Sequence, residues 1–273
     1  MRRPHALALA LAGLLLVGCA GPSTQPSAGA SDKPVLRVAG ATSNPLEQAS
    51  IEYVRDHIAA DHGITIDYVH IEETRAILEA TESGEVDANV AMHAVYMNAQ
   101  NEQNGFHLAA VAPLFKQHQV LYSKKFASVE DIPNGAKVAV STSTVAQSTA
   151  LKFLEQIGLV KVDPSVPLTA LGIKDIVENP KNLEFVSVQS VPRALDDTDL
   201  ATATAFAFYT ADVDSKYEIA SIDGLDDYAL QLVVRQDHVS DPAVQSLTAA
   251  FLDPRLTDFV TQNYGTLVTA IKR

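Results

Sequence analysis

Four consecutive hydroxyl residues, Ser141-Thr142-Ser143-Thr144, stand between a β-rich run and an amphipathic one. At a helix start, hydroxyls and free backbone N–H groups suit an anionic or polar ligand group. The same side chains serve equally well as helix caps, and Thr144-x-x-Gln147 spells a capping box; the residues alone leave both readings open. Three other segments fall where strands give way to helices: Gly40–Asn44, Ala91-Met92-His93-Ala94-Val95-Tyr96, and Phe206-Ala207-Phe208-Tyr209. In open α/β sheets these carboxyl ends of strands are where ligands sit. Covalent chemistry is harder to read. There is no Gly-x-Ser-x-Gly elbow, no phosphate-binding glycine loop and no His-Glu-x-x-His pair. The eight histidines are scattered. His57 and His62 do not share a helix face cleanly, and His107 and His118 are separated by an apolar, strand-like stretch. No metal or cofactor is expected.

The elements that position these loops follow from periodicity. Val35–Ala39 reads as a strand, and Asn44 as an N-cap with Pro45 at the first helical position and Glu47 three residues after the cap. Ile51, Val54 and Ile58 continue at helical spacing until Gly63. Residues 64–71 form a second strand, 75–83 a helix closed by Gly84, and 88–91 a third strand. Further on, 120–123 and 137–140 read as strands with a helical turn at 128–132 between them. A helix through Leu151, Leu154 and Ile157 stops at Gly158. Residues 185–188, 200–205 and 230–234 supply more strands. Asp241-Pro242 starts a helix, and a last helix is expected from Leu256 to Ile271. Strand and helix alternate at about 25- to 30-residue intervals, which predicts two α/β units built on mainly parallel sheets.

At the N-terminus, Arg2 and Arg3 precede an uncharged apolar run over residues 6–17 that is too short to span a bilayer and reads as a removed signal. Leu16-Val17-Gly18-Cys19 fits a lipobox. Cys19 is the only cysteine, so there is no disulfide framework, and thioether acylation accounts for an otherwise unpaired exported thiol. Residues 1–18 are thus expected to be a lipoprotein signal peptide and 19–34, rich in Gly, Ser, Pro and Ala, a flexible tether. The formal net charge of −13 argues against nucleic acid and against electrostatic binding to anionic lipid. Attachment to the extracytoplasmic face of a membrane is expected from acyl chains alone.

Gly84-Glu85-Val86-Asp87-Ala88-Asn89 leads to His93 and Tyr96, and Tyr122-Ser123-Lys124-Lys125, residues 177–183 (VENPKNL), Pro192-Arg193-Ala194-Leu195-Asp196-Asp197 and Tyr209 follow in order. In this order and at these spacings they resemble the NlpA/MetQ family, the methionine-binding lipoproteins of ABC importers. The resemblance covers residues 35–273. It implies a two-lobed α/β periplasmic-binding-protein fold of type II, with crossing strands near Gln119–Ser123 and Tyr228–Val233. Lobe 1 is expected over 35–119 and 232–273, and lobe 2 over 120–231. A small-molecule ligand and an ABC-transporter permease are the implied partners, and the family is not enzymatic. A surface lipoprotein acting in adhesion is the alternative. The family's loop after Val138-Ala139-Val140 usually carries an arginine that grips the ligand carboxylate, and here that position is Thr149. The family's ligand-holding asparagine falls on Phe206, and its flanking aromatics fall on Ile71 and Thr74. His93, Tyr96, Ser141, Thr142, Thr144, Thr149, Phe206 and Tyr209 are therefore the expected ligand contacts, with Arg75 as a substitute carboxylate partner and Cys19 as the lipidated residue. The expected ligand is methionine, bound more weakly than by relatives, or a less charged solute.

Overall fold

The computed structural model describes residues 33–41 and 44–271. The signal, the lipobox with Cys19, most of the tether, and Thr42 and Ser43 of the first loop lie outside the described residues. In chain order the elements are β1 (Val35–Gly40), α1 (Pro45–His57), β2 (Thr65–His70), α2 (Thr74–Ser83), β3 (Ala88–His93), α3 (Ala94–Asn104), β4 (Leu108–Gln117) and β5 (Gln119–Tyr122). Then come β6 (Lys137–Ser141), α4 (Thr144–Gln156), β7 (Lys161–Val162), β8 (Ile176–Glu178), β9 (Glu184–Val188), α5 (Val191–Ala194), β10 (Leu200–Thr204) and α6 (Ala205–Thr210). The chain closes with β11 (Glu218–Ile222), β12 (Leu230–Arg235), α7 (Pro242–Phe251), α8 (Pro254–Tyr264) and β13 (Val268–Ala270).

Two sheets carry the architecture. The first runs β13-β4-β12-β3-β1-β2 and the second β11-β5-β10-β6-β9. Leaving β13 aside, each places a parallel trio beside one antiparallel returning strand and an antiparallel edge strand. The expectation of mainly parallel sheets is corrected at those returning strands. β5 and β12 each enter a sheet from the other half of the chain, and a strand arriving from that side runs against its neighbours. The chain crosses between the sheets twice, from Gln117 to Gln119 and again between Ile222 and Leu230. Strand pairing enters the second sheet at Gln119 and re-enters the first at Leu230, before residue 232. This is a two-lobed periplasmic-binding fold.

Local chemistry accounts for most boundaries. Asn44 caps α1 by accepting the Leu46 N–H at 3.2 Å. Glu47 does not close the expected box onto the cap backbone; it accepts instead from Ala41 N at 3.0 Å and Asn44 Nδ2 at 2.7 Å. Gly84 ends α2 in the left-handed region, φ +76°. Apolar faces of α1, α7 and α8 share one core with the first sheet, while α2 and α3 cover its other face. In the second sheet α4 packs against Val138, Val140 and Leu200, whereas α5 and α6 pack on the opposite face against Ala139, Ala201 and Tyr122.

Four expected elements differ. The terminal helix stops at Tyr264, and Val268–Ala270 is an edge strand paired with Phe115–Gln117 of β4. Open ladder groups on β4 outweigh the weak local helical pattern there. The turn at 128–132 is not helical; Lys181 Nζ holds the Ile132 carbonyl at 2.6 Å and bends the chain. Residues 94–96 and 206–209, expected as parts of loops, belong to α3 and α6.

Candidate functional site

The carboxyl ends of β1, β3, β6 and β10 open on one cleft, with a cavity volume of about 1290 Å³. From the first lobe come Asn44, Glu47 and His93, and from the second Ser141, Ser143, Thr149 and Thr202. The crossing segments contribute Gln117, Gln119 and Tyr228.

His93 ends β3 and caps α3. Its Nδ1 accepts the backbone N–H of Tyr96 at 3.1 Å, so the ring proton resides on Nε2 while the ring is neutral. Burial pushes its pKa down to about 4, which keeps the ring uncharged at neutral pH. The edge of the ring faces Tyr228, with centroids 4.7 Å apart and planes at 68°. The Tyr228 hydroxyl lies 2.8 Å from Ser148 Oγ on α4. The Ser148 proton is committed to the Val145 carbonyl at 2.9 Å, so Tyr228 donates and its oxygen keeps free acceptor capacity. Thr149 is buried beside it and also donates to Val145 O, at 2.8 Å. Residues from both lobes thus meet in an uncharged, hydrogen-bonded wall.

Glu47 is 5% exposed. Desolvation by burial pushes its pKa up to about 7, partly opposed by the hydrogen bonds from Ala41 and Asn44 and reinforced by the charge of Glu72. Thr202 is fully buried, and its hydroxyl has no hydrogen-bond partner among the described residues. A buried orphan hydroxyl in a cleft wall is a group that a ligand can satisfy.

Of the expected contacts, the cleft gathers His93, Ser141 and Thr149. Tyr96 lies one turn into α3 and engages His93 through its backbone. Thr142 and Thr144 are exposed outside the lining. Ser143, not Thr144, stands at the N-cap of α4, and no side chain caps it there. Gln147 does not complete a capping box; its amide donates to Ser141 O at 2.9 Å and its carbonyl accepts from Ile173 N at 3.2 Å. Phe206 is corrected: it is 6% exposed and packs against Tyr264 of α8 with centroids 5.9 Å apart, as part of the first lobe's core. Tyr209 is 57% exposed on α6, and Phe208 stacks on Tyr122 at 4.0 Å. α6 forms where a loop was expected, and Phe206, Phe208 and Tyr209 are not among the residues lining the cleft. Arg75 is also outside the cleft, exposed on α2 and paired with Glu79 at 2.9 Å. Glu47, Thr202 and Tyr228, which line the cleft, and Ser148, buried behind Tyr228, were not among the expected residues. Glu47 carried one signal, its place beside the Gly40–Asn44 loop.

Two lobes closing over a polar cleft, joined by two crossings, define a periplasmic-type solute-binding protein. The NlpA lipoprotein family model matches residues 38–271, and the chain belongs to that family. It is 29% identical over 210 residues to the D-methionine-binding lipoprotein MetQ of Escherichia coli strain K12, covering 75% of this chain and 77% of that one. A YaeC-family lipoprotein of Enterococcus faecalis superposes with a TM-score of 0.78 at 25% identity, over 88% of this chain and 100% of the other. An ABC-transporter periplasmic substrate-binding protein of Coxiella burnetii does so with a TM-score of 0.74 at 26% identity, over 86% and 100%. Among the described residues no helix is long and apolar enough to cross a membrane, and no group of three His, Cys, Asp or Glu could hold a metal ion.

Proposed function

We propose that this chain is the lipid-anchored substrate-binding component of an ABC importer, taking methionine or a related small solute by closure of its lobes. The observation that carries this reading is the cleft between two sheets of matching strand order, walled by groups from both lobes and from both crossings. Lobe closure on such a frame is a hinge motion. The lobes are read as residues 35–119 with the return from about 230, and the segment between. A cleft this deep favours solute binding over the adhesion alternative. No covalent chemistry is involved; binding, sequestration and delivery to a permease at the extracytoplasmic face are the whole activity. Support for the lipid anchor comes from the Cys19 lipobox and from relatives named lipoproteins.

Thr149 and Phe206 supply neither the charge nor the amide that the family resemblance led one to expect. Loss of a charge-assisted hydrogen bond is worth about 1.5–3 kcal/mol, so methionine binds here about ten- to hundredfold more weakly than to relatives with the usual arginine. Solution scattering tests the central claim: a bound solute is expected to reduce the radius of gyration, with hydrogen exchange slowing at His93 and Ser148 together. Protection confined to one lobe would contradict it. Cys19→Ser is expected to release folded protein into the soluble fraction, and retention on membranes after a high-salt wash would contradict the anchor.

A further inference from the structure

The charges around the cleft are unevenly placed. Its cationic lining residues are Lys124 and Arg193. Lys124 is tied to Asp196 in an ion pair. Arg193 stands on α5, which packs on the opposite face of the second sheet from α4. Among the described residues, the wall where the lobes meet holds no cation: His93 is neutral, and Tyr228, Ser148 and Thr149 are hydrogen-bonded hydroxyls. The lining of the same cleft does include an acid. Glu47 is buried and lines the cleft, and among the described residues its hydrogen bonds come from the neutral donors Ala41 N and Asn44 Nδ2, one on each carboxylate oxygen. A carboxylate oxygen can accept more than one hydrogen bond, which leaves room for a ligand donor. Among the described residues no Lys or Arg pairs with it. The titratable groups around it are Tyr68 on β2, whose hydroxyl donates to Gly40 O, His70, exposed with its ring tilted against Tyr68, Glu52 on α1, and Glu72.

We infer that this wall selects a solute carrying an ammonium group, received by the Glu47 carboxylate, and an uncharged hydrogen-bonding group rather than a carboxylate beside it. A buried acid without a positive neighbour is expensive unless a ligand supplies the charge. A carboxylate placed there would be desolvated near a second acid with only neutral donors to meet it. The neutral groups match an amide or similar function: His93 Nε2–H donates, Tyr228 oxygen accepts, and the orphan Thr202 hydroxyl can do either. Strand alternation places Thr202 on the same face of β10 as Leu200, which packs against α4. The acidic excess of the whole chain, 33 Asp and Glu against 20 Lys and Arg, also draws a cation toward the cleft.

This inference rests on the methionine-related reading and narrows it, and one titration series separates the two. The full lipoprotein, purified in detergent and stripped of co-purifying ligand, is titrated by calorimetry with L-methionine, L-methioninamide and N-acetyl-L-methionine. The amide is expected to bind at least tenfold more tightly than methionine, and the N-acetyl compound, lacking an ammonium group, to bind weakest. Glu47→Gln is expected to weaken amide binding at least tenfold, the loss of one charge-assisted hydrogen bond. Near pH 6.5 the wild type is expected to release a proton on binding the amide, seen as a dependence of the heat on the buffer's ionisation enthalpy, and Glu47→Gln to abolish that release. A merely structural Glu47 would not produce it. Methionine binding as tightly as its amide overturns the inference and leaves the methionine-related reading standing, as does wild-type amide affinity in folded Glu47→Gln. If the wild type binds none of the three, both fall. Should Glu47→Gln not fold, the wild-type ranking and its proton release decide the matter.

Discussion

The strand ends of the first lobe deliver Glu47 and His93 to the cleft, both titratable and both withdrawn from water. The corresponding strand ends of the second lobe deliver Ser141, Ser143 and Thr202, none of which titrates in the ordinary range. The two sheets share a strand order, so the contrast does not come from topology. It comes from how each strand hands over to the next helix. In the first lobe Glu47 folds back onto the preceding loop and His93 caps α3, so both are pulled inward with their polar atoms engaged. In the second, Ser143 caps α4 with no side-chain bond, and its hydroxyl stays with the cleft. One lobe sets the electrostatic preference; the other supplies adaptable hydrogen bonding.

The largest effect is expected from the cores that hold these walls. Phe153 of α4 and Phe115 of β4 are among the largest fully buried side chains, one in each lobe. Truncation of either to alanine is expected to cost about 3–5 kcal/mol. Chemical denaturation with probes in both lobes tests whether the lobes lose structure together; separate transitions would show each lobe to be its own cooperative unit.

Next come the two buried titratable groups, whose pH effects oppose each other. His93 has its pKa depressed from 6.5 to about 4, so its contribution is present above pH 6.5 and is lost as pH falls toward 4, about 3 kcal/mol in all. Glu47 has its pKa raised from 4.5 to about 7, so its contribution is present below pH 4.5 and is lost as pH rises through 7, a similar amount. Between these limits the two nearly cancel. His93→Gln is therefore expected to make stability rise on acidification from pH 7 to 4.5, and Glu47→Gln to make it fall. Glu47→Gln is also expected to gain about 2 kcal/mol at pH 8, where the wild type holds a buried charge. Denaturant midpoints across pH for the three proteins check all of this, and parallel curves would remove the contrast between the lobes.

Smaller still is Tyr228→Phe, which removes the hydrogen bond between the second crossing and Ser148 of α4 and should cost about 1 kcal/mol. It is also expected to enlarge the ligand-free radius of gyration, because Tyr228 ties the second crossing to α4. The smallest effect belongs to Arg75→Ala. Its exposed pair with Glu79 is worth less than about 0.5 kcal/mol, and solute affinity should not change. A marked loss of affinity would bring Arg75 back into the site.

The sequence by itself was enough for the family, the strands carrying the cleft and several helix boundaries, because these rest on local signals. Asn44-Pro45 opens α1 and Gly84 closes α2 through backbone preferences that need no distant partner. β-rich runs such as residues 137–140 mark buried strands. Tertiary structure decided the direction of β5 and β12, the fate of residues 268–270 and the pairing with β4, all of which depend on neighbours far along the chain. It also decided most of the site. Phe206 reads as a cleft residue in a loop but lies in the core once α6 forms beside Tyr264. Arg75 reads as a free cation but lies on an exposed helix face. Thr202 and Tyr228 bear no local mark of function, and Glu47 has only its place beside the Gly40–Asn44 loop; their character comes from desolvation, from an unmet hydroxyl, and from a hydrogen bond between residues 80 positions apart. Burial and cross-lobe contact are properties of the packed chain, and pattern along the sequence does not encode them.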